Sequence, residues 1–213
     1  DLGYRSGQNP FPTLDYNIDR MKIRKMIANF YLDVTLIPST LTFKTNYYNN
    51  YNGIDQRVIN LPYFIGNSFQ NPDPTIARTI SLYYNQIWDN VLTFNKNINK
   101  HNLTVMAGSS FKDEGSQILK ATAKNFPTDQ EQSWYINQSL NVLPESVGDD
   151  GKREYGMSYF SRLAYIFNNK YLFYATMRAD GSNKYQEKWG YFPTLAAGWI
   201  ISEESFLKGN KNV

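Results

Sequence analysis

Apolar and polar residues alternate one for one through seven separate runs of this chain, and no other feature restricts its fold as strongly. From Met26 to Leu36, one side reads Met26, Ala28, Phe30, Leu32, Val34, Leu36 and the other Ile27, Asn29, Tyr31, Asp33, Thr35. A period of two puts each set on one face of an extended strand. Pro38-Ser39-Thr40 interrupts the run as a short turn does, and Leu41, Phe43, Thr45, Tyr47 then oppose Thr42, Lys44, Asn46, Tyr48, which makes a hairpin. Trp88, Asn90, Leu92, Phe94 oppose Asp89, Val91, Thr93, Asn95. After the turn at Asn97-Ile98-Asn99-Lys100, Leu103, Val105, Ala107 oppose Asn102, Thr104, Gly108. A third hairpin sets Tyr159, Leu163, Tyr165, Phe167 against Ser158, Phe160, Arg162, Ala164. It turns at Asn168-Asn169-Lys170 and continues with Tyr171, Phe173, Ala175, Met177 against Leu172, Tyr174, Thr176, Arg178, Asp180. A seventh run sets Tyr191, Leu195, Ala197, Trp199 against Thr194, Ala196, Gly198.

The connections alternate in length. Those at Pro38, Ile98 and Asn169 are short, whereas 52–76 and 118–153 are long, polar and rich in Asn, Gly and Pro, with a medium loop at 181–188. Short turns at one end and long loops at the other are the layout of a transmembrane β-barrel, with periplasmic turns and extracellular loops. Aromatic rings at the strand ends, among them Tyr165, Phe167, Tyr171, Trp189 and Trp199, stand where interfacial girdles form. The other all-β solution is a soluble β-sandwich binding module, whose strands also alternate. Two features favour the barrel: the apolar faces are almost free of charge, and the opposite faces are only mildly polar where soluble surfaces carry more Lys and Glu.

Composition removes other classes. Charged residues are 19% of the 213, the net charge is +3, and Lys and Arg are scattered, so no stripe for nucleic acid exists. Without cysteine there is no disulfide, thiolate zinc site or cysteine nucleophile. The single histidine, His101, lacks the partners of a triad or metal cluster and reads as an interfacial residue beside a turn. Mean hydropathy is −0.55, and no run approaches the roughly 18 apolar residues of a spanning helix. A barrel strand gives no such signal. The chain starts at Asp1 without Met and finishes on Gly209-Asn210-Lys211-Asn212-Val213, so it reads as a fragment or a processed piece. Seven strands with an incomplete start over 1–20 do not close, and an open edge in a bilayer leaves backbone groups unsatisfied. A membrane barrel of this sequence is therefore a sector of a larger one.

The C-terminal third carries a more specific pattern. Ser158-Tyr159-Phe160-Ser161-Arg162-Leu163-Ala164-Tyr165 is followed by Lys170-Tyr171-Leu172 and Met177-Arg178-Ala179-Asp180-Gly181-Ser182. Then come Trp189-Gly190-Tyr191-Phe192-Pro193-Thr194, Gly198-Trp199 and Ile201-Ser202-Glu203-Glu204-Ser205-Phe206. In order and spacing this resembles a barrel signature of the SusC/RagA family, the TonB-linked outer-membrane transporters of Bacteroidetes. Weaker likeness extends to Asn9-Pro10, the hairpin over 30–45, and 88–108. Ser161, Asn183 and Ile200 depart from the family's usual Gly, Ser and Arg, but they leave the alternation intact. The resemblance implies an all-β fold, a sector of a barrel of about 22 strands, with residues 1–213 all in the barrel domain and the plug and TonB box outside it. It also implies import of oligosaccharides, or in some members peptides, across the outer membrane. The expected partners are a SusD-like surface lipoprotein, the TonB complex and outer-membrane lipid. No cofactor and no catalysis are implied.

Two sets of site residues follow. On the polar faces, Asp33, Lys44, Arg162, Arg178 and Asp180 are the expected luminal polar residues, read as ion pairs that hold register rather than as substrate contacts. In the long connections, Tyr47, Tyr48, Tyr51, Trp134 and Tyr135 stand among amides. Sugar rings stack on aromatics and amides bond hydroxyls, so these are the expected substrate contacts, although Tyr and Asn are also common at strand ends. Asp180-Gly181-Ser182 lacks the acidic repeat of a calcium loop and the glycines of a nucleophile elbow, and reads as a strand-to-loop turn. Glu203 and Glu204 diverge and form no acid/base pair, while Ser202 is placed to cap a short helical turn.

Overall fold

In the computed structural model, residues 11–66, 69–128 and 130–207 are described. Asn9-Pro10 and the 209–213 tail lie outside them. After the short helix α1 (Phe11–Tyr16), the strands are β1 (Asn17–Ile37), β2 (Leu41–Asn60), β3 (Tyr63–Gly66), β4 (Phe69–Asn71), β5 (Thr75–Ile98), β6 (His101–Lys124), β7 (Asn141–Val142), β8 (Gly148–Phe167), β9 (Tyr171–Ser182) and β10 (Trp189–Trp199). Seven of these are long, and they pair in the order β1-β2-β5-β6-β8-β9-β10. The small β3–β4 hairpin stands apart, and β7 adds to β6. The β8–β9 and β9–β10 ladders are antiparallel and regular: Gly156 to Phe167 pair Ser182 to Tyr171, and Trp189 to Trp199 pair Gly181 to Tyr171.

The short turns form because their residues accept left-handed backbone. Ser39 has φ 53° after Pro38, and the Thr40 amide donates to the Ile37 carbonyl at 3.1 Å, which is a type II turn. Asn168 and Asn169 both have positive φ, and the Lys170 amide closes on Phe167 at 3.0 Å. That is the type I′ geometry whose twist matches a hairpin.

The strands are longer than the alternation indicates. β5 and β6 each have 24 residues, against about 9–11 needed to cross a bilayer. The stretch 52–76, read as loop, is strand through Asn60 and again from Thr75. The stretch 118–153 is strand through Lys124 and from Gly148. Where both faces of a strand meet water, nothing in the sequence has to alternate, and the backbone ladder alone carries the structure.

The chain divides into two compact units, and β1, β2, β5, β6 and β8 contribute to both. One comprises Asp1–Met26, Tyr51–Tyr83 and Gly115–Lys152; the other Ile27–Asn50, Tyr84–Glu114 and Arg153–Val213. The second unit contains the three short turns. Its strands put Phe30, Leu32, Leu36, Leu92, Phe173 and Leu195 outward with at least 40% exposure, a face stable only against hydrocarbon. We take the membrane-spanning segments as 28–37, 41–49, 88–95, 103–111, 157–167, 171–180 and 190–199. The first unit holds the buried apolar cluster found among the described residues: Ile59, Ile76, Ala123, Phe126 and Trp134, with Ile18, Leu61 and Ile136 packed against it. Residues 125–147 thus fold onto the strand face that carries Ile59 and Ile76.

Candidate functional site

In the second unit, the face opposite the apolar rows carries the charges. Asp33 on β1 meets Lys44 on β2 at 3.5 Å, and the ammonium lies 5.6 Å from the Tyr31 ring. Both side chains are more than half exposed, so the pair contributes only about 0–1 kcal/mol. Across β8 and β9 the register sets Phe160 opposite Arg178, Ser158 opposite Asp180 and Arg162 opposite Thr176. Arg178 Nε donates to both Asp180 oxygens at 2.8 Å and Nη2 to Ser158 Oγ at 3.3 Å, with the guanidinium 6.0 Å from the Phe160 ring. Arg162 lies 5.6 Å from the Tyr174 ring and has no carboxylate partner among the described residues. The five expected luminal residues therefore share one face, four of them as two ion pairs and Arg162 as an uncompensated cation on an aromatic platform. Such a strip can hold a carboxylate or a row of hydroxyls.

The five aromatics expected in loops are placed differently. Tyr47, Tyr48 and Tyr51 lie within β2. Tyr48 shares the face of Lys44. Tyr47 and Tyr51 fall on the opposite face by strand period, where Tyr47 lines a crevice with Trp88 and Phe111, and Tyr51 lines a cavity with Arg24 and Asp55. Trp134 and Tyr135 do belong to the 125–147 connection. Trp134, however, is 8% exposed within the apolar cluster, so its ring is a core ring rather than a sugar platform. Tyr135 lies under the Arg57 guanidinium at 4.4 Å.

The same connection is fastened by charge. Arg20 bonds Glu131 and lies 5.7 Å from the Trp134 ring. Nearby, Arg78 bonds Asp55 through two contacts of 3.1 and 3.0 Å. These hydrogen bonds hold the Asp55 and Glu131 carboxyls below their ordinary range. On β6 and β8, Arg153 forks onto Asp113 at 2.9 and 2.6 Å and lowers that carboxyl in the same way.

One cluster has no counterpart in the sequence reading. Glu204 accepts from Lys170 Nζ at 2.9 Å, Tyr171 Oη at 2.7 Å and Trp199 Nε1 at 3.2 Å. It thereby ties the chain after β10 to the β8–β9 turn. The preceding turn, Ile201–Glu203, starts from Ile200 with no side-chain cap, so Ser202 lies inside the turn and does not cap it. The Lys170 bond, then the Tyr171 bond, push the Glu204 carboxyl from 4.5 down to about 2. Between those values the folded form binds fewer protons than the unfolded one. The contribution to stability is therefore present above pH 4.5 and disappears as pH falls toward 2. Trp199 fluorescence in an acid titration is expected to report this loosening, and Glu204→Gln to abolish the pH dependence. An unchanged titration in the variant would refute the assignment.

His101 Nδ1 lies 2.6 Å from Tyr165 Oη, and its ring packs 4.9 Å from Phe167, an interfacial aromatic contact. Among the described residues no three His, Asp or Glu side chains gather as a metal requires.

No family model matches the chain. Among curated proteins it is 30% identical to TonB-dependent receptor P39 of Formosa agariphila over 213 residues, covering 94% of this chain and 19% of that protein. It is 28% identical to TonB-dependent receptor SusC of Bacteroides thetaiotaomicron over 214 residues, covering 95% and 20%. The chain thus spans about one fifth of the length of these relatives. In fold it matches the RagAB peptide transporter with a TM-score of 0.80 at 16% identity, over 94% of this chain and 22% of that one. The open-open state of the RagAB peptide importer matches with a TM-score of 0.78.

Proposed function

From a chain that is one sector of the outer-membrane β-barrel of a SusC/RagA-family TonB-dependent receptor, we infer that the whole protein imports an oligosaccharide or a peptide. The uptake is TonB-driven, with a SusD-like surface lipoprotein as the partner that delivers substrate. Within that reading this sector is wall and lumen. Its lipid-facing rows hold the barrel in the bilayer, and its charged face borders the path. Energy enters through a plug and TonB box that belong to other parts of the protein.

The observation that carries the reading is the strip on β8 and β9. Arg162 is exposed, lies over the Tyr174 ring beside the Arg178–Asp180 pair and has no carboxylate partner among the described residues, so its charge is available to whatever passes over it. The carboxylates of peptides and of acidic sugars use such a charge, and the ring below accepts a sugar face. In cells carrying the full-length receptor, uptake is expected to stop when TonB is deleted. Arg162→Ala is expected to lower the uptake of acidic substrates about tenfold, with the barrel still assembled. Uptake that persists without TonB would overturn the energised-import reading. Supplying glycans and peptides separately identifies the substrate class.

A further inference from the structure

On the lipid-facing side of the second unit, a crevice of about 540 Å³ opens between Trp88 and Phe111 on one flank and Trp189 on the other, with Met157 between them. The walls are fixed. Trp88 packs 6.1 Å from Phe111 and donates its indole N–H to Thr45 Oγ1 at 2.8 Å. Trp189 stacks on Tyr159 at 6.1 Å. Gly181 keeps the floor low beneath that indole, since a Cβ there would meet the ring at 3.1 Å. These four side chains are apolar or amphipathic and continue the hydrocarbon-facing rows.

Charge enters at one end only, away from the short turns. Arg153 uses Nε and Nη2 on Asp113 and leaves its Nη1 edge outside that pair, with the side chain 65% exposed. Lys188 also lines the crevice and has no carboxylate partner among the described residues. An apolar slot at the outer margin of the bilayer, with charge confined to its outer mouth, where Lys188 and the open edge of Arg153 stand beside the Arg153–Asp113 pair, suits a lipid whose acyl chain enters between the rings and whose head is anionic. The end away from the periplasmic turns faces the outer leaflet, where the abundant lipid is an acylated, phosphorylated sugar.

We propose that this crevice seats one phosphorylated glycolipid of the outer leaflet, its acyl chain between Trp88–Phe111 and Trp189 and its phosphate at Lys188 and the open edge of Arg153. This goes beyond the import reading and rests only on the sector being a membrane wall.

The test is native mass spectrometry of the full-length receptor, purified in mild detergent and titrated with a bis-phosphorylated acyl-glucosamine lipid, its dephosphorylated analogue, or phosphatidylglycerol. The wild type is expected to retain the phosphorylated glycolipid through washing. Met157→Trp, which fills the slot, is expected to weaken retention about tenfold. Lys188→Glu is expected to weaken retention of the phosphorylated form and to spare the analogue. Leu195→Trp, on another lipid-facing row, serves as control and retains as the wild type does. Heat-modifiable gel mobility checks that each variant is a folded barrel. Equal retention by Met157→Trp and wild type, or equal retention of phosphatidylglycerol, overturns the proposal. Loss of substrate uptake with glycolipid retention intact would count against the import reading alone.

Discussion

Leu32→Arg is expected to destabilise the full-length barrel by about 2–4 kcal/mol, the cost of an arginine near the bilayer midplane. Leu32 lies in the middle of the 28–37 segment with its side chain 57% exposed, on the row shared with Phe30, Val34 and Leu36. Its exposure is to lipid, which offers the guanidinium neither water nor a counter-ion. Thr35 lies three residues away on the opposite face, the one that carries Asp33. Thr35→Arg meets luminal water there and is expected to cost close to nothing. Urea unfolding of the two variants in lipid vesicles provides the comparison. Equal costs would mean that both faces of β1 are wet, and the sandwich alternative would return.

Trp134→Ala is expected to cost about 3–5 kcal/mol in the first unit, the range for emptying a buried large aromatic site. The ring is 8% exposed against Ile59, Ile76, Ala123 and Phe126 and carries the Arg20 guanidinium at 5.7 Å. With it gone, residues 125–147 lose the contact that pins them to the strands. Hydrogen exchange should accelerate at Trp134, Ser139 and Leu140, whose amides are bonded within the connection and to Asn125. The amides of β9 and β10 are expected to keep wild-type protection, because local opening stays within its own cooperative unit. Trp134→Phe is the informative partner. The indole N–H is buried and finds no acceptor among the described residues, so phenylalanine keeps most of the packing and removes an orphan donor. Its cost should fall well below that of alanine. If both substitutions leave exchange unchanged, the connection is held by the Arg20–Glu131 and Arg57–Tyr135 contacts instead.

The two expected results concern parts of the chain that differed in legibility. Around Leu32 the alternation is plain in the residues because hydrocarbon and water select opposite side chains on the two faces of one strand. The same selection made the seven runs, the short turns and the charged face readable. Strand period places Asp33 with Lys44 and Arg178 with Asp180 on one face each, but Arg178 and Asp180 pair along β9 rather than across a hairpin, and Arg162 has no carboxylate partner among the described residues. Beyond the bilayer the selection ends. Residues 52–60 and 118–124 are strand, yet their residues show no apolar–polar period and both stretches read as loop. Tyr51, expected in a loop, lies within β2 for that reason.

Trp134 and Glu204 mark what pattern alone cannot reach. A tryptophan in a polar connection looks like an exposed platform until the connection folds onto Ile59 and Ile76, which are distant in the chain. Glu204 looks like one of two diverging carboxylates until β10 brings it beside Lys170, Tyr171 and Trp199. The lipid-side crevice likewise needs β5, β6, β8 and β10 together. The sequence by itself determined which residues share the apolar face of each strand and which share the charged face, because that choice is made residue by residue by the local solvent. Only the tertiary structure decided which aromatic is core, which carboxylate is a fastener and where cavities open. Those properties depend on contacts between segments tens of residues apart, and no local period encodes them.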